Sequence, residues 1–353
     1  MICDDVRMIE TNTQTRQLRL LGELVRQVEN QKPLFVLETE MHQWSEKEEQ
    51  LNPTYRKATG KLTEKGKKTQ AFKYYISFAK KLQLISVTGQ LVEWTKFGEI
   101  FTLLFPTYQA AENLFFWYWL MKYDADTLLT IGQIVANATT PLKDVAIRLQ
   151  YMEQLKTRFW VKIKQANSNT VLATETILRQ LETETSHSLV AHKHLVPPRL
   201  VWLQELGILN TGTKYQFTPV GMAIWKQLPT LKDGMSKDIS ENWLKQVALT
   251  DFKAGMQPLL WENIAAAVQK QWIAQSLSFF YEKTYKSKEN SYRMNGYSAL
   301  LFAVFHIHNC HQVTVNRTDL ELILKTPLVQ PPYLFVYSPA ERHYESYITI
   351  TFI

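Results

Sequence analysis

The sequence predicts a mainly α protein with small β-hairpins, an α+β chain of two or three tandem modules. Three observations carry that prediction. Apolar residues recur at helical spacing along most of the chain. Twice the spacing gives way to two short β-prone runs around a glycine turn. The two interruptions match one another in residue type, with Leu82 and Leu206 lying 124 positions apart. At about 150 residues per domain, 353 residues allow two or three domains. A composition of 45% hydrophobic and 21% charged residues excludes wholesale disorder, collagen and a simple coiled coil.

The elements follow in order. Residues 1–14 are polar and read as loose. Leu18, Leu20, Leu21, Leu24, Val25 and Val28 predict a helix over Gln17–Asn30. Leu34–Leu37 reads as an extended run after Pro33. Ser45 with Glu48 matches a capping box that opens a short helix, and Asn52-Pro53 stops it. A lysine-rich loop is expected from Tyr55 to Lys68. A helix over Thr69–Leu82 has Phe72, Tyr75, Ile76, Ala79 and Leu82 on one stripe. The first hairpin is Leu84–Val87, a turn at Thr88-Gly89-Gln90, and Leu91–Trp94. Another helix runs from Thr95 to Phe105.

Helices are then expected at Tyr108–Lys122, Ala125–Ala136, Pro141–Met152 and Val171–Glu182. Lys156, Arg158, Lys162 and Lys164 alternate with Phe159, Val161 and Ile163, the pattern of a strand with one charged face. The repeat arrives at Arg199–Leu206, a helix opened by Pro197-Pro198. Strands at Ile208–Thr211 and Lys214–Phe217 flank Gly212, and a helix through Met222 and Trp225 follows. Leu82-Gln83-Leu84-Ile85 aligns with Leu206-Gly207-Ile208-Leu209, and Trp94-Thr95-Lys96-Phe97-Gly98 with Phe217-Thr218-Pro219-Val220-Gly221. In both, a threonine stands where it can cap the next helix. The final part predicts helices at Met256–Tyr285, Tyr297–His308 and Thr318–Leu324, then strands at Tyr333–Tyr337 and Tyr347–Phe352. Four segments result: a module at 1–106 with a basic face, a second at 107–229, a connector at 230–255, and a C-terminal helical module with a terminal hairpin at 256–353.

Helix, tight hairpin, helix is the closing arrangement of the winged helix-turn-helix superfamily, which Phe72–Gly98 and Arg199–Gly221 resemble. Tandem winged modules occur in the DNA-recognition parts of some restriction enzymes, in plasmid replication initiators and in DNA-binding subunits of prokaryotic defence systems. The resemblance implies a non-catalytic double-stranded DNA-binding protein. It would serve as the recognition subunit of a prokaryotic multiprotein system such as anti-phage defence, beside a partner protein carrying any enzymatic activity. The alternative is a winged-helix scaffold that docks a catalytic partner.

Charge singles out the first module. The chain has 40 Lys and Arg against 33 Asp and Glu, a net +7. Arg56, Lys57, Lys61, Lys65, Lys67, Lys68, Lys73, Lys80 and Lys81 cluster with Glu64 as the only acid among them. Such a patch neutralises phosphates and releases counterions. Opposite its apolar stripe the Thr69–Leu82 helix presents Gln70, Lys73, Tyr74, Ser77, Lys80 and Lys81, side chains suited to base edges and phosphates in a major groove. Thr88 and Gln90 at the wing tip would reach the adjacent backbone. The second module's helix carries Arg199, Gln204 and Glu205, and its acid disfavours a phosphate.

Other chemistry is weakly signalled. His306, His308, Cys310 and His311 offer metal-ligand types, but on a helix they face different ways, and no Cys-x-x-Cys or His-Glu-x-x-His companion exists. His187, His192, Lys193 and His194 read as ordinary loop residues. Phosphate-cradling glycine loops and nucleophile elbows are missing, and only 12 glycines are present. No cofactor or metal is expected. Two cysteines, an N-terminus MICDDVRMIE without an apolar core, and apolar runs far below the roughly 20 residues of a membrane span lead to the expectation of a cytoplasmic chain.

Overall fold

The computed structural model describes residues 7–29, 31–64, 67–165, 175–176, 179, 192–227, 259–285, 291–341 and 345–353. It is mainly helical with small antiparallel sheets. Chain contacts divide it into two units. One is Met1–Gly98 with Thr107–Ser240, the other Glu99–Pro106 with Glu241–Ile353.

The first unit begins with helix α1 (Leu18–Gln27), strand β1 (Gln31–Pro33) and helix α2 (Leu34–Leu51). Leu20, Leu21, Leu24 and Val25 of α1 are fully buried, as their spacing predicts. Asn52 ends α2 and caps the short α3 (Pro53–Lys57), accepting from the amides of Thr54 at 2.9 Å and Tyr55 at 3.2 Å. A hairpin, β2 (Thr63–Glu64) and β3 (Lys67–Lys68), precedes α4 (Ala71–Lys81). Strands β4 (Ile85–Thr88) and β5 (Leu91–Trp94) close the module, and β5 pairs with both β4 and β1. Helix α5 (Lys96–Leu104) follows, and from Glu99 onward it belongs to the second unit.

Helix α6 (Glu112–Ala136) is broken at Asp124, where the backbone leaves helical geometry. Then come β6 (Leu142–Lys143), α7 (Asp144–Gln165), α8 (His192–Glu205), β7 (Lys214–Tyr215) and α9 (Pro219–Gln227). Leu209 bridges Phe217, and β6 pairs with β7.

The second unit holds α10 (Ala266–Thr284), β8 (Ser291–Asn295), α11 (Gly296–His311), α12 (Arg317–Ile323) and strands β9 (Leu328–Gln330), β10 (Tyr333–Ser338) and β11 (Tyr347–Phe352). The sheet order is β8-β11-β10-β9. Alternate residues Tyr333, Phe335, Ile348 and Ile350 point into its core. Asn295 and Asn316 cap α11 and α12 through the amides of Ser298 and Asp319.

One connection rule recurs in all three places. A helix leads into a short strand, further helices follow, and a hairpin closes the module. The early strand pairs with the last strand: β1 with β5, β6 with β7, β8 with β11.

The repeat seen in the residues is also a repeat of bonds. Leu84 N donates to Ala79 O at 3.0 Å, and Ile208 N to Leu203 O at 2.8 Å. Thr95 N donates to Leu84 O at 3.2 Å, and Thr218 N to Ile208 O at 3.0 Å. Gln83 and Gly207 both take positive φ, 56° and 73°, to turn the chain off its helix. Gly98 and Gly221 both lie where a Cβ would collide with a backbone carbonyl, of Leu84 and of Ile208. The repeat-related Phe78 and Trp202 meet face to face, with centroids 4.7 Å apart and planes 7° from parallel.

Several expectations are corrected. Leu34–Leu37 is the first turn of α2 instead of an extended run, with Leu37, Met41 and Ser45 on its buried face. Ser45 therefore caps nothing. Its hydroxyl lies 2.6 Å from that of Tyr55 and 3.3 Å from that of Thr63. The lysine-rich segment is α3 and a hairpin, not one loop. Lys156–Lys164 lies within α7, since Tyr151, Met152, Leu155 and Phe159 are buried at helical spacing. Pro197 and Pro198 sit inside α8 instead of opening it. Only the Leu209 bridge represents the strand expected at Ile208–Thr211. The strands β8 and β9 were not expected. Most of the expected helix at Val171–Glu182, and the connector at 230–255, lie outside the described residues.

Candidate nucleic-acid interface

Helix α4 is anchored by its predicted stripe. Phe72, Tyr75, Ile76 and Ala79 are buried, and the hydroxyl of Tyr75 accepts from Gln17 N at 2.9 Å at the start of α1. Phe78, outside that stripe, is buried against Trp202. With these faces held, Lys73, Ser77 and Lys80 are exposed one turn apart, and Gln70 is exposed at the helix start. Tyr74 is half-buried, and the ammonium of Lys73 lies 5.0 Å from its ring centroid. No acid lies within α4.

The inserted hairpin extends this surface. Thr69 N donates to Leu62 O at 2.8 Å, and Thr69 Oγ1 to Lys61 O at 2.8 Å, which ties β2 and β3 to the start of α4. Lys67 and Lys68 are exposed, with Glu64 directly across from Lys67. Burial lowers the His42 imidazole from its ordinary value, and the Lys68 charge acts in the same direction. At the other hairpin, Thr88 and Gln90 are exposed around Gly89. The carbonyl of Gln90 accepts from Leu34 N at 2.7 Å, so this hairpin is fastened to α2.

The structure divides the expected basic set. Among the described residues, Lys57, Lys67, Lys68, Lys73 and Lys80 have no ion-pair partner. Lys61 is withdrawn, paired with Glu49 and also donating to the Arg56 carbonyl at 3.0 Å. Lys81 is half-buried and held by Glu10 at 3.0 Å. Arg56 is exposed, its Nε donating to Glu49 O at 3.3 Å. Lys65 lies outside the described residues. The free face is thus narrower than the sequence cluster, and α4, the β2–β3 hairpin and the β4–β5 hairpin contribute to it.

The equivalent helix of the second module has no such face. From Val196 to Leu203 of α8 every residue is buried except Val201, which is half-buried. Arg199, at the position of Tyr75, is fully buried in a bidentate pair with Asp124, at 2.7 and 2.8 Å. Its Nη2 also donates to Ile9 O, and Nη1 donates to Thr11 Oγ1 and Leu195 O. Residues 7–17 run across this helix, with Arg7 N on Asp126, Ile9 N on Asp124 and Thr15 O accepting from Trp202 Nε1. Arg158 pairs with the buried Asp126 at 2.7 Å, so this member of the smaller basic group is structural. In the second unit α12 carries Asp319 and Glu321, the latter paired with Arg317 at 2.7 Å.

The histidines of α11 go to separate partners. His306 Nδ1 lies 3.0 Å from Ser276 Oγ, and His308 Nδ1 3.1 Å from Thr314 Oγ1. His311 stacks on Trp272 at 3.9 Å. Cys310 Sγ is 3.7 Å from His306 Nε2. Among the described residues no three His, Cys, Asp or Glu side chains converge as a metal site would require. Among them also, no helix is long and apolar enough to cross a membrane.

Comparison of the chain with known protein families, curated proteins and solved structures returns no match.

Proposed function

We propose that the chain is a non-catalytic double-stranded DNA-binding protein of tandem winged-helix modules, whose first module makes the contact. The observation that carries this is the exposed, acid-free face of α4, flanked by Lys67 and Lys68 on one hairpin and Thr88 and Gln90 on the other. The connection rule supports the module assignment, because in each of the three an early strand returns to the last strand of the closing hairpin. On this reading α4 enters the major groove with Gln70, Lys73, Ser77 and Lys80 toward the bases and phosphates. The hairpins hold the flanking backbone.

The test is fluorescence-anisotropy titration of a random-sequence duplex. With about four phosphate contacts, raising salt from roughly 50 to 200 mM weakens binding on the order of a hundredfold. Charge reversal of Lys67, Lys68, Lys73 and Lys80 abolishes that binding and its salt slope. Reversal of the exposed Lys214 and Lys226 in the second module leaves both unchanged. A wild type that fails to bind at low salt, or a quadruple variant that binds like it, overturns the proposal.

A second reading has one observation in its favour. Val145, Leu149 and Trp160 are exposed on a single stripe of α7. Three large apolar side chains facing solvent together suit a scaffold that docks a partner protein.

A further inference from the structure

A cavity of about 280 Å³ opens in the first unit between the start of α1, α3 and the start of α6. It lies away from the face of α4 and does not depend on the DNA reading. Its walls combine two carboxylates with three aromatic rings. Glu112, 1% exposed, comes from the first turn of α6. Glu205 comes from the end of α8. Tyr55 and Phe116 are buried, and Tyr108 is half exposed.

The acids here keep unused acceptor capacity. Glu112 Oε2 pairs with Arg26 at 2.8 Å, but its Oε1 is buried and has no hydrogen-bond partner. Such an orphaned acceptor is costly. Glu205 accepts from Leu18 N at 2.6 Å, at the positive end of α1. The Arg19 guanidinium is the one cation on the lining, and it is committed elsewhere. It bonds Glu48 at 2.5 Å and lies 4.7 Å from the centroid of the Tyr108 ring. Two carboxyls therefore line one space: Glu112 meets Arg26 through one oxygen only, and Glu205 has no ion-pair partner among the described residues.

We propose that this cavity binds a small alkylammonium ligand. The ammonium donates to Glu112 Oε1 and to the Glu205 carboxyl, and the aliphatic part lies against Tyr55 and Phe116. A compact ammonium with three donors fits a pair of acceptors better than a planar guanidinium fork does. Aromatic walls add cation–π attraction. Burial pushes both carboxyls above their ordinary range, with the Glu112 charge adding to the rise at Glu205 and the Glu23 charge to that at Glu112. A bound cation relieves that burden.

The probe is 1,4-diaminobutane, titrated calorimetrically into the full chain near pH 7.5. Saturable one-to-one binding is expected, with a rise in melting temperature. Butane-1,4-diol and potassium chloride at matched ionic strength are expected to give neither. Glu112→Gln keeps the shape and loses roughly tenfold or more in affinity, the loss expected for one charge-assisted hydrogen bond. Because that variant also breaks the Arg26 pair, Glu205→Gln serves as the second arm. It replaces a carboxyl that burial keeps protonated up to about 8, folds at least as well, and also binds the diamine more weakly. No saturable binding, an equal response to the diol or the salt, or undiminished binding by a folded Glu205→Gln protein overturns the proposal.

Discussion

Helices α4 and α8 have the same bonds at their C-terminal ends and opposite surroundings along their lengths. Each turns through a positive-φ residue, each hands its chain to a hairpin, and each is followed by a glycine pressed on a carbonyl. Yet α4 keeps a basic face in solvent, whereas α8 is covered by residues 7–17 and holds a buried ion pair. The difference arises at single repeat-related positions. Tyr75 meets α1 with one hydroxyl, and Arg199 meets Asp124 and residues 9–11 with a whole guanidinium. One supersecondary frame can therefore carry an interface in one copy and a buttress in the other. Function follows the outward residues, not the frame.

The most forceful way to break the comparison is at that position. Arg199→Met leaves the buried Asp124 carboxylate without its cation and is expected to cost about 3–5 kcal/mol in denaturant unfolding. Removing both charges, as Arg199→Met with Asp124→Leu, recovers part of that loss. Tyr75→Phe removes only the acceptor for Gln17 N, and about 1–2 kcal/mol is expected. Equal losses at the two positions would mean that α4 and α8 are held alike, and the contrast would fail.

The next effect lies where the two modules meet. Burial pushes the Glu205 carboxyl up to about 8 from an ordinary 4.5, against the opposing amides of Leu18 and Arg19. Between those values the folded chain keeps a proton that the unfolded chain has released. Stability therefore falls as pH rises through this window, by at most about 1.4 kcal/mol per pH unit from this group. Glu205→Gln is expected to flatten that slope between pH 5 and 8, as read from urea midpoints. A slope unchanged in the variant would show that Glu205 ionises as freely in the folded chain as in the unfolded one.

What the sequence made legible was local. The hairpin at 85–94 was readable because alternation, a Gly turn and the capping Thr95 fall within eleven residues. The helical stripe of α4 was readable because its five apolar positions repeat over three turns. Ser45 misled because Ser-x-x-Glu also matches a helix interior when the serine has a hydroxyl partner, here Tyr55, ten residues on. Lys156–Lys164 misled because period two and period 3.6 overlap over so short a run. The burial of Arg199 was out of reach, since its partner lies 75 residues away and nothing local separates a buried arginine from a solvated one. The same holds for Lys61 and Lys81, whose partners Glu49 and Glu10 narrow the basic face. In the candidate interface the residue types were legible. Which of them remain free was set by tertiary ion pairs.

The smallest effect tests the shared half of the comparison. Thr95 Oγ1 accepts from Phe97 N at 3.2 Å and Gly98 N at 3.3 Å, and donates to the Gln83 carbonyl. Thr218 Oγ1 accepts from Gly221 N at 2.9 Å and donates to Gly207 O at 2.6 Å. Each hydroxyl caps a helix start and ties it to the end of the preceding helix. Thr95→Ala and Thr218→Ala are therefore each expected to cost about 1 kcal/mol, with the two losses agreeing within roughly 0.5. Thr→Ser at either site keeps the hydroxyl and most of the stability. If Thr218→Ala costs nothing while Thr95→Ala costs the full amount, the second frame repeats the geometry without the energy. Its stability would then come from the burial of α8 alone, and the two modules would differ in construction as well as in surface.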